Sequence, residues 1–405
     1  MGVYHDLGLD PIINVSGAVT RLGGAPMPPP VLDAFRAAAD ECVPLDTLHG
    51  AASRVIAELT GAEAGLVTAG AAAALTLGTA AILTGYDPSR MERLPHCAGF
   101  PDEFVVARDQ RNGYDHAVRA AGARLVEVGM NEVIAGAGVR RVEAWEYAAA
   151  FGPATAGVLY VLDPEARPPL AEVAAEAHAA GLPVLVDAAG ELPPRSNLRD
   201  VLAAGADLVC FSGGKAVRGP QATGILCGRR DLVGPAALQM LDLDDHFDLW
   251  DPPPELIDTA RLRGLPRHGI GRGMKVSKEQ VVALVTALRL FVSGAYDAEL
   301  PAMRGHLEEV AAALAARPVR CRLVMPADGQ SPPVLELTID EAVLGRTAVE
   351  VCRRLRAGRP PVYPGHGGVR EGRLTVNPLH LTGERTRLLI GRLQEELTSD
   401  GPAAR

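Results

Sequence analysis

The chain has 405 residues, of which 48% are hydrophobic and 4% aromatic, and its formal net charge is −9. This length predicts two domains rather than one core, and the composition favours an α/β enzyme over an all-β protein. The acidic balance gives no general attraction for phosphate backbones, so we expect no nucleic-acid partner. The six cysteines lack C-x-x-C pairs, which indicates neither a metal site nor disulfides and predicts a cytoplasmic protein.

The N-terminal sequence, MGVYHDLGLDPIINVSG, contains no basic region followed by an apolar core, and so predicts no secretory signal. The uncharged stretch 64–86 is long enough to span a bilayer, which needs about 20 helical residues. Most of this stretch is Ala, Gly and Thr, which partition weakly into lipid. We therefore expect a buried helix here and no membrane partner.

The first half of that stretch, GLVTAGAAAALTLG, predicts a strand, a turn at Ala69 and Gly70, and a helix that begins near Ala71. Free amide groups and the helix dipole would then point at the turn, which suits a bound phosphate. The hydroxyl groups of Thr68 and Ser212 could contribute to such a site. An ordinary buried strand-to-helix connection has the same pattern.

The middle of the chain alternates strand-like and helix-like segments. Short apolar runs occupy 157–163, 182–190 and 206–214, and helical patterns such as PLAEVAAEAHAAG lie between them. Continuous apolar strands with intervening helices predict a doubly wound, mostly parallel sheet that is covered on both faces.

A long helical pattern begins near Val276 and ends before Gly294. Strands and helices are more mixed beyond it, as in a small α+β domain. We expect an N-terminal segment at 1–45, a large α/β domain at 46–294 that includes this connector helix, and a small C-terminal domain at 295–405.

Asp187 and Lys215 each follow a predicted buried strand. Open α/β sheets bind ligands at the carboxyl ends of their strands, so these two side chains are expected to converge. A lysine amine can form a Schiff base with a carbonyl, and an aspartate can hold a protonated pyridine nitrogen, which is the pair that pyridoxal phosphate requires. From the spacing alone, a turn lysine and a helix-capping aspartate are equally consistent.

Several long segments resemble the fold-type I pyridoxal-phosphate enzymes of the group around selenocysteine synthase and D-glucosaminate-6-phosphate ammonia-lyase. They are IINVSGAVTRLGG, RNGYDHAVRAAGARLVEVG, VLVDAAGELPP, FSGGKAVRGPQATGILCGRRDL and GRGMKVSKEQVV. The resemblance covers nearly the whole chain, in order. It implies that Lys215 carries the cofactor pyridoxal 5'-phosphate, that Asp187 binds its pyridine nitrogen, and that the loop 69–72 binds its phosphate.

The chain departs from that family at two positions. The phosphate loop reads AGAAA where selenocysteine synthases tend to be rich in Asn, so side-chain contacts to the phosphate are fewer. Gln110 stands where many relatives have His. Which group covers the cofactor ring or protonates a leaving group is therefore open.

Substrate anions favour arginine, whose planar guanidinium suits carboxylates and phosphates. Arg21 lies in the glycine-flanked N-terminal segment, Arg218 follows Lys215, and Arg272 belongs to GRGMK. Each is a predicted substrate-binding residue. For each, a solvated or ion-paired surface arginine is the competing interpretation.

The resemblance implies a lyase that removes the α-proton and β-hydroxyl of an amino acid or amino-sugar acid, giving a 2-oxo acid and ammonia. Racemisation, epimerisation or aldol cleavage of a small amino acid would begin in the same way. A selenocysteine-synthase-like transferase acting on aminoacyl-tRNA is a further alternative, disfavoured by the acidic charge and by an opening motif that starts near Met1. Family members also lead us to expect a homodimer or a higher homo-oligomer.

Overall fold

The computed structural model describes residues 2–130, 141–264 and 267–398. The strands in these ranges are β1 (Ile13–Val15), β2 (Ala64–Thr68), β3 (Glu103–Ala107), β4 (Arg124–Val128), β5 (Thr155–Val161), β6 (Val184–Asp187), β7 (Leu208–Ser212), β8 (Gly224–Gly228), β9 (Val319–Val324), β10 (Val334–Ile339), β11 (Val362–Pro364) and β12 (Arg373–Val376).

The helices in the same ranges are α1 (Pro29–Asp40), α2 (Leu45–Thr60), α3 (Ala71–Thr84), α4 (Pro88–Arg93), α5 (Asp115–Ala120), α6 (Ala144–Ala150), α7 (Leu170–Ala179), α8 (Asn197–Ala203), α9 (Arg230–Met240), α10 (Lys278–Val292), α11 (Leu300–Ala313), α12 (Glu341–Leu344), α13 (Ala348–Ala357) and α14 (Gly383–Glu396).

The chain divides into two compact units. The large unit is Met27–Val292, and the C-terminal unit combines Ser293–Arg405 with Met1–Pro26. The predicted N-terminal segment 1–45 is therefore divided between the two, because β1 pairs in parallel with β11 of the C-terminal unit. The predicted connector helix is α10, which ends at Val292, two residues before a left-handed Gly294.

The large unit contains a seven-stranded sheet in the order β2-β8-β7-β6-β5-β3-β4. Neighbours from β7 through β4 run parallel, which confirms the predicted mostly parallel sheet. The sequence did not predict that β8 runs antiparallel to both β2 and β7. A short loop from β7 to β8 replaces the helical crossover that a parallel pair needs.

Helices cover both faces of this sheet. A Cβ on Gly78 of α3 would touch side chains of three adjacent strands, Leu185, Leu208 and Leu226. On β2, Gly65 lies against Ile56 of α2, and the next residue, Leu66, belongs to the core on the α3 side. Since successive side chains of a strand point to opposite faces, α2 and α3 lie on opposite sides.

The C-terminal unit has its own apolar core and two small sheets. One is the β1–β11 pair, and the other is antiparallel in the order β12-β10-β9. The core side chains of β10 alternate with more exposed residues, and they pack with apolar residues of α11, α13 and α14. This arrangement agrees with the predicted α+β unit.

The uncharged stretch 64–86 forms β2 and α3, and most of the α3 side chains are buried in protein. Among the described residues, no single helix is long and apolar enough to cross a membrane. One bent pair, Lys278–Val292 with Ala295–Ala313, passes that test by length and composition alone.

Candidate active site

At one edge of the sheet, three adjacent strands carry polar or small residues on the face that α3 covers. Thr68 of β2 and Ser212 of β7 both pair with Gly224, the first residue of β8. Each lies two positions from a residue of the α3 core, namely Leu66, Cys210 or Leu226. Residues two apart share a face of a strand, so these three side-chain positions form a row beside the start of α3.

The turn before α3 has the geometry of an anion site. Gly70 is the N-cap, with φ of 90° and ψ of 165°, and no side chain caps the helix. The first-turn amides of α3 are thus available to a ligand, and the helix dipole favours a negative one. A Cβ on Gly224 would lie 2.4 Å from the Gly70 carbonyl carbon and 2.6 Å from the Ala71 nitrogen, so only glycine fits there.

Thr68 is completely buried and its hydroxyl donates to the Gly70 carbonyl at 3.0 Å. The Gly70 amide in turn donates to the Thr68 carbonyl at 2.8 Å. Thr68 therefore holds the turn in shape, rather than offering its hydroxyl proton to a ligand. Ser212 is only partly buried, and Ala69 is exposed.

Lys215 lies in a closed loop between β7 and β8. The Gly213 amide donates to the Thr223 carbonyl, and the Gly219 amide donates to the Gly213 carbonyl, both at 2.8 Å. A Cβ on Gly214 would lie 2.5 Å from the Gln221 Cα, so the loop can close only around glycine. The two glycines before the lysine are thereby explained by backbone packing.

The amine of Lys215 faces the turn that follows β6. Its Nζ would be 3.8 Å from a Cβ on Gly190. Within the described part of the chain, this Nζ forms no hydrogen bond or ion pair. Asp187, three residues before Gly190, is buried, and its Oδ1 accepts from the Ala189 amide at 3.0 Å. The sheet thus brings Lys215 and Asp187 together, as the sequence predicted.

Burial raises the pKa of Asp187, while the Ala189 amide and Lys215 counteract that rise. A buried carboxylate with one amide donor and no ion pair is under-satisfied. A cationic N–H placed against its second oxygen would favour the ionised carboxylate. The Asp187 carboxyl group therefore suits a protonated ring nitrogen.

Gln110 reaches the same strand ends from β3. It lies in a short 3-10 turn, Arg108–Gln110, directly after β3, and its side chain is buried. Its Oε1 accepts from the Val161 amide at 3.0 Å, and Val161 is paired in register with Asp187. Its buried Nε2 has no hydrogen-bond partner among the described residues. An orphaned amide donor of this kind fits a site that a ligand completes.

The three predicted substrate-binding arginines have different surroundings. Arg218 is buried three residues after Lys215, and its φ of 60° lies in the left-handed region that non-glycine residues rarely adopt. Arg272 is ion-paired with Asp242, beside an exposed cluster of Asp242, Asp244 and His268. Arg21 belongs to the C-terminal unit.

One acidic residue of the site, Glu191, is not among the residues predicted from the sequence. It lies in the turn after β6, four residues beyond Asp187, and the charges of Lys215 and Asp187 both act on its carboxyl group. The segment VLVDAAGELPP contains both Asp187 and Glu191. A second carboxyl residue in the same strand-end turn was the signal that could have identified Glu191.

A family model, Aminotransferase class-V, matches residues 166–241, which include Asp187 and Lys215. The 5'-C-glycyluridine monooxygenase-decarboxylase of a Streptomyces species is 31% identical over 413 residues, covering 99% of this chain and 93% of that protein. The L-seryl-tRNA(Sec) selenium transferase of Rhizobium meliloti is 33% identical over 254 residues, covering 56% of this chain and 50% of that one.

The D-glucosaminate-6-phosphate ammonia lyase of Salmonella typhimurium is 27% identical over 402 residues and covers 97% of each chain. The solved structure of a D-glucosaminate-6-phosphate ammonia-lyase superposes with a TM-score of 0.79 over 98% of both chains, at 27% identity. With a lysine, an aspartate and an anion-binding turn at one sheet edge, and full-length similarity to these enzymes, the chain belongs to the fold-type I pyridoxal-phosphate-dependent enzymes, in the family that contains these relatives.

Proposed function

We propose that the protein is a pyridoxal-phosphate-dependent lyase, which converts a β-hydroxylated amino acid or amino-sugar acid into a 2-oxo acid and ammonia. The observation that carries this proposal is the convergence of Lys215, Asp187 and the Gly70 turn at one edge of the sheet. Full-length similarity to D-glucosaminate-6-phosphate ammonia-lyase supports the reaction class.

In this proposal the residues of the large unit hold the cofactor at three points. The first-turn amides of α3, from Ala71 onward, would bind its phosphate beside Ala69 and Gly70 and with Ser212 nearby, and Thr68 shapes that turn. Asp187 would hold the ring nitrogen, and Lys215 would hold the carbonyl carbon. When bound, the cofactor supplies a cationic ring that withdraws electrons from the substrate α-carbon.

The chain's own groups then move protons and orient the substrate. Lys215 Nζ is the base that would remove the α-proton of the substrate. The Nε2 of Gln110 donates a hydrogen bond within the site, because no described protein atom accepts from it. Arg218, Arg21 and Arg272 are the proposed anchors for the substrate anion. For Arg272 this requires that the ion pair with Asp242 be exchanged for the substrate.

Two measurements test this assignment. Borohydride reduction of the holoenzyme followed by peptide mapping should leave the pyridoxyl group on Lys215, and a label on another lysine would refute that role. A panel of β-hydroxylated amino acids and amino-sugar acids should then release ammonia and 2-oxo acid in equal amounts. Deuterium exchange at the α-carbon without ammonia release would instead indicate a racemase or epimerase.

Oxygen-dependent decarboxylation is a second candidate, because the Streptomyces relative named as a monooxygenase-decarboxylase matches 99% of this chain. That reaction breaks the bond to the carboxylate rather than the bond to the α-hydrogen. Oxygen uptake and carbon dioxide release from the same panel, without ammonia, would favour it over the lyase.

We also propose that the enzyme is a cytoplasmic homodimer or higher homo-oligomer without a nucleic-acid partner, acting on a small molecule. The acidic net charge of −9 supports the absence of a tRNA substrate. Light scattering should give a mass of twice 42.4 kDa or a larger multiple of it. A salt-sensitive, submicromolar complex with tRNA would contradict the proposal and favour the transferase alternative.

A further inference from the structure

Glu191 is held in a defined position beside Lys215. Its amide donates to the Ala188 carbonyl at 3.1 Å, and its carbonyl accepts from Asn197 Nδ2 at 2.6 Å. Both backbone groups are thus fixed, one by the turn after β6 and the other by the first residue of α8. The carboxyl group is consequently presented from an ordered turn.

The carboxyl group of Glu191 is partly buried and lacks a compensating donor. Within the described ranges, it forms no side-chain hydrogen bond or ion pair. Burial raises its pKa, Asp163 and Asp187 raise it further, and Lys215 lowers it. This group therefore retains a proton to higher pH than an ordinary glutamate.

Glu191 is also one of the residues that line a cleft of about 400 Å³. Asp163, Arg167, Asn197 and Asp200 also line this cleft. The cleft is large enough for a small polar substrate group and for the water that such a group becomes when it leaves. The residue before Glu191 in the chain is Gly190, where a Cβ would lie 3.8 Å from Lys215 Nζ.

Other groups near the strand ends are poor proton donors. The amide of Gln110 does not release a proton. The Tyr160 hydroxyl already donates to the Pro168 carbonyl at 3.0 Å, and burial raises the pKa of Tyr160 to about 12. Cys210 is completely buried, which raises its thiol pKa well above the usual value. Asp187 is assigned to the ring nitrogen, and Glu191 is a second described acid on which the charge of Lys215 acts.

We propose that Glu191 is the general acid that protonates the departing β-hydroxyl, an inference that rests on the proposed elimination. Lys215 Nζ takes the α-proton, the bond between the β-carbon and oxygen breaks, and its electron pair leaves with the oxygen. The Glu191 proton joins that oxygen to form water. The resulting 2-amino-2-enoic acid tautomerises and hydrolyses to the 2-oxo acid and ammonia, and solvent returns the proton to Glu191.

The test compares two leaving groups on the holoenzyme, with the hydroxylated substrate found in the panel and its β-chloro analogue. Chloride leaves as the anion and needs no proton, whereas the hydroxyl group needs a proton to leave as water. Glu191→Gln should lower kcat for the hydroxylated substrate by about 100-fold or more, the usual effect of losing a general acid. It should leave chloride elimination nearly unchanged. Glu191→Asp should restore part of the loss, and Glu172→Gln, at an exposed carboxylate of α7, should have no effect.

A second readout does not depend on turnover. Because the pKa of Glu191 is raised in the folded chain, its ionisation destabilises the fold as pH rises above the unfolded pKa. In cofactor-free protein, Glu191→Gln should therefore raise Tm at pH 8, and the difference from the unsubstituted protein should diminish as the pH falls toward 4. The charges of Asp163, Asp187 and Lys215 act on Glu191, and Arg167 and Asp200 line the same cleft; all five are unchanged in this variant.

The outcomes separate this inference from the proposed function. Equal loss of both eliminations in Glu191→Gln, or no loss of either, would overturn the acid role while the lyase stands. A Tm difference between the variant and the unsubstituted protein that does not change with pH would also overturn the acid role, because the pKa of Glu191 would then not be raised in the folded protein. Release of chloride but of no hydroxyl group by the unsubstituted enzyme would overturn the proposed elimination, and the acid role with it.

Discussion

The C-terminal unit buries an ion pair between Arg392 and Glu396, whereas two buried polar groups at the strand ends of the large unit are left partly open. Arg392 and Glu396 are 7% and 6% exposed, and Arg392 Nη2 donates to Glu396 Oε1 at 3.0 Å. Arg354 Nε donates to the other carboxylate oxygen, Oε2, at 2.5 Å. In the large unit, Asp187 has one amide donor and Gln110 Nε2 has no described partner.

The difference separates polar groups that stabilise the fold from polar groups kept for a ligand. An unpaired buried polar group costs stability, typically about 1–3 kcal/mol. Proteins tolerate such unsatisfied groups mainly at sites where a bound ligand supplies the missing hydrogen-bond partner. The paired cluster of the C-terminal unit should therefore respond to mutation in stability, and the strand ends should respond in binding and turnover.

The largest expected effect comes from Lys215→Ala. Since Lys215 Nζ has no partner among the described residues, its loss should leave the fold intact but abolish turnover and the visible absorption of the bound cofactor. Lys278→Ala is the matched control, because Lys278 Nζ donates to the carbonyls of Ala38 and Ala39 at the end of α1. That variant should lose stability and keep the cofactor. Retained turnover in Lys215→Ala would break the comparison.

Asp187→Asn should lower kcat by about 100-fold or more, because a neutral amide no longer holds the ring nitrogen protonated. The substitution also removes a carboxyl group whose pKa burial raises. We therefore expect the thermal stability of the cofactor-free protein to be equal or higher. Steady-state kinetics checks the expected fall in kcat, and calorimetry checks the expected thermal stability. Near-normal turnover would show that Asp187 has a different role.

Glu396→Gln should have the opposite effect to Asp187→Asn, because it should lower stability and leave turnover unchanged. Arg392 would stay buried with part of its charge uncompensated, which costs about 3 kcal/mol for a broken buried pair. Denaturant unfolding followed by circular dichroism should show the loss. Cofactor absorption and kcat should match the unsubstituted enzyme under native conditions. A fall in kcat without a fall in stability would contradict the assignment of this cluster to the fold.

His49 extends the comparison to α2, because its side chain is buried with an unsatisfied ring nitrogen although it lies outside the strand ends. Its Nδ1 has no described partner, and burial lowers its pKa to about 4. A lowered histidine pKa contributes stability that is complete above about pH 6.5 and declines as the pH falls toward 4. Between pH 7 and 5 the protein should lose about 2 kcal/mol through this residue. His49→Gln should flatten that dependence; an unchanged slope would contradict the prediction.

The smallest expected effect concerns the anion turn. Gly224→Ala would force the Gly70 turn to move, because the new Cβ would overlap its backbone. Cofactor affinity, measured by titrating the cofactor-free protein, should fall about tenfold, a cost of about 1.4 kcal/mol. Gly391→Ala in α14 is the control. No heavy atom lies within 4 Å of that position, so it should instead gain about 0.5–1 kcal/mol of helix stability.

Much of the fold and of the site was predictable because its signals are local. The pattern of residues 64–84 predicted a strand, a turn at Ala69 and Gly70, and a helix from Ala71, and the structure has β2 ending at Thr68 and α3 beginning at Ala71. Asp187 and Lys215 were identified because each follows an apolar run, and parallel strands bring such ends to one edge.

Only the tertiary structure decided which distant groups meet. Val161 donates to Gln110 across 51 positions, and Arg272 pairs with Asp242 across 30. The antiparallel direction of β8 and the pairing of β1 with β11 are likewise set by packing between segments. By itself, the sequence indicated the strands of the large sheet and the candidate pair Lys215 and Asp187, because periodicity and turn residues act over a few positions, and the family resemblance implied the roles of that pair. Long-range contacts depend on the geometry of the assembled sheet, so only the structure places the turn of Glu191 beside Lys215.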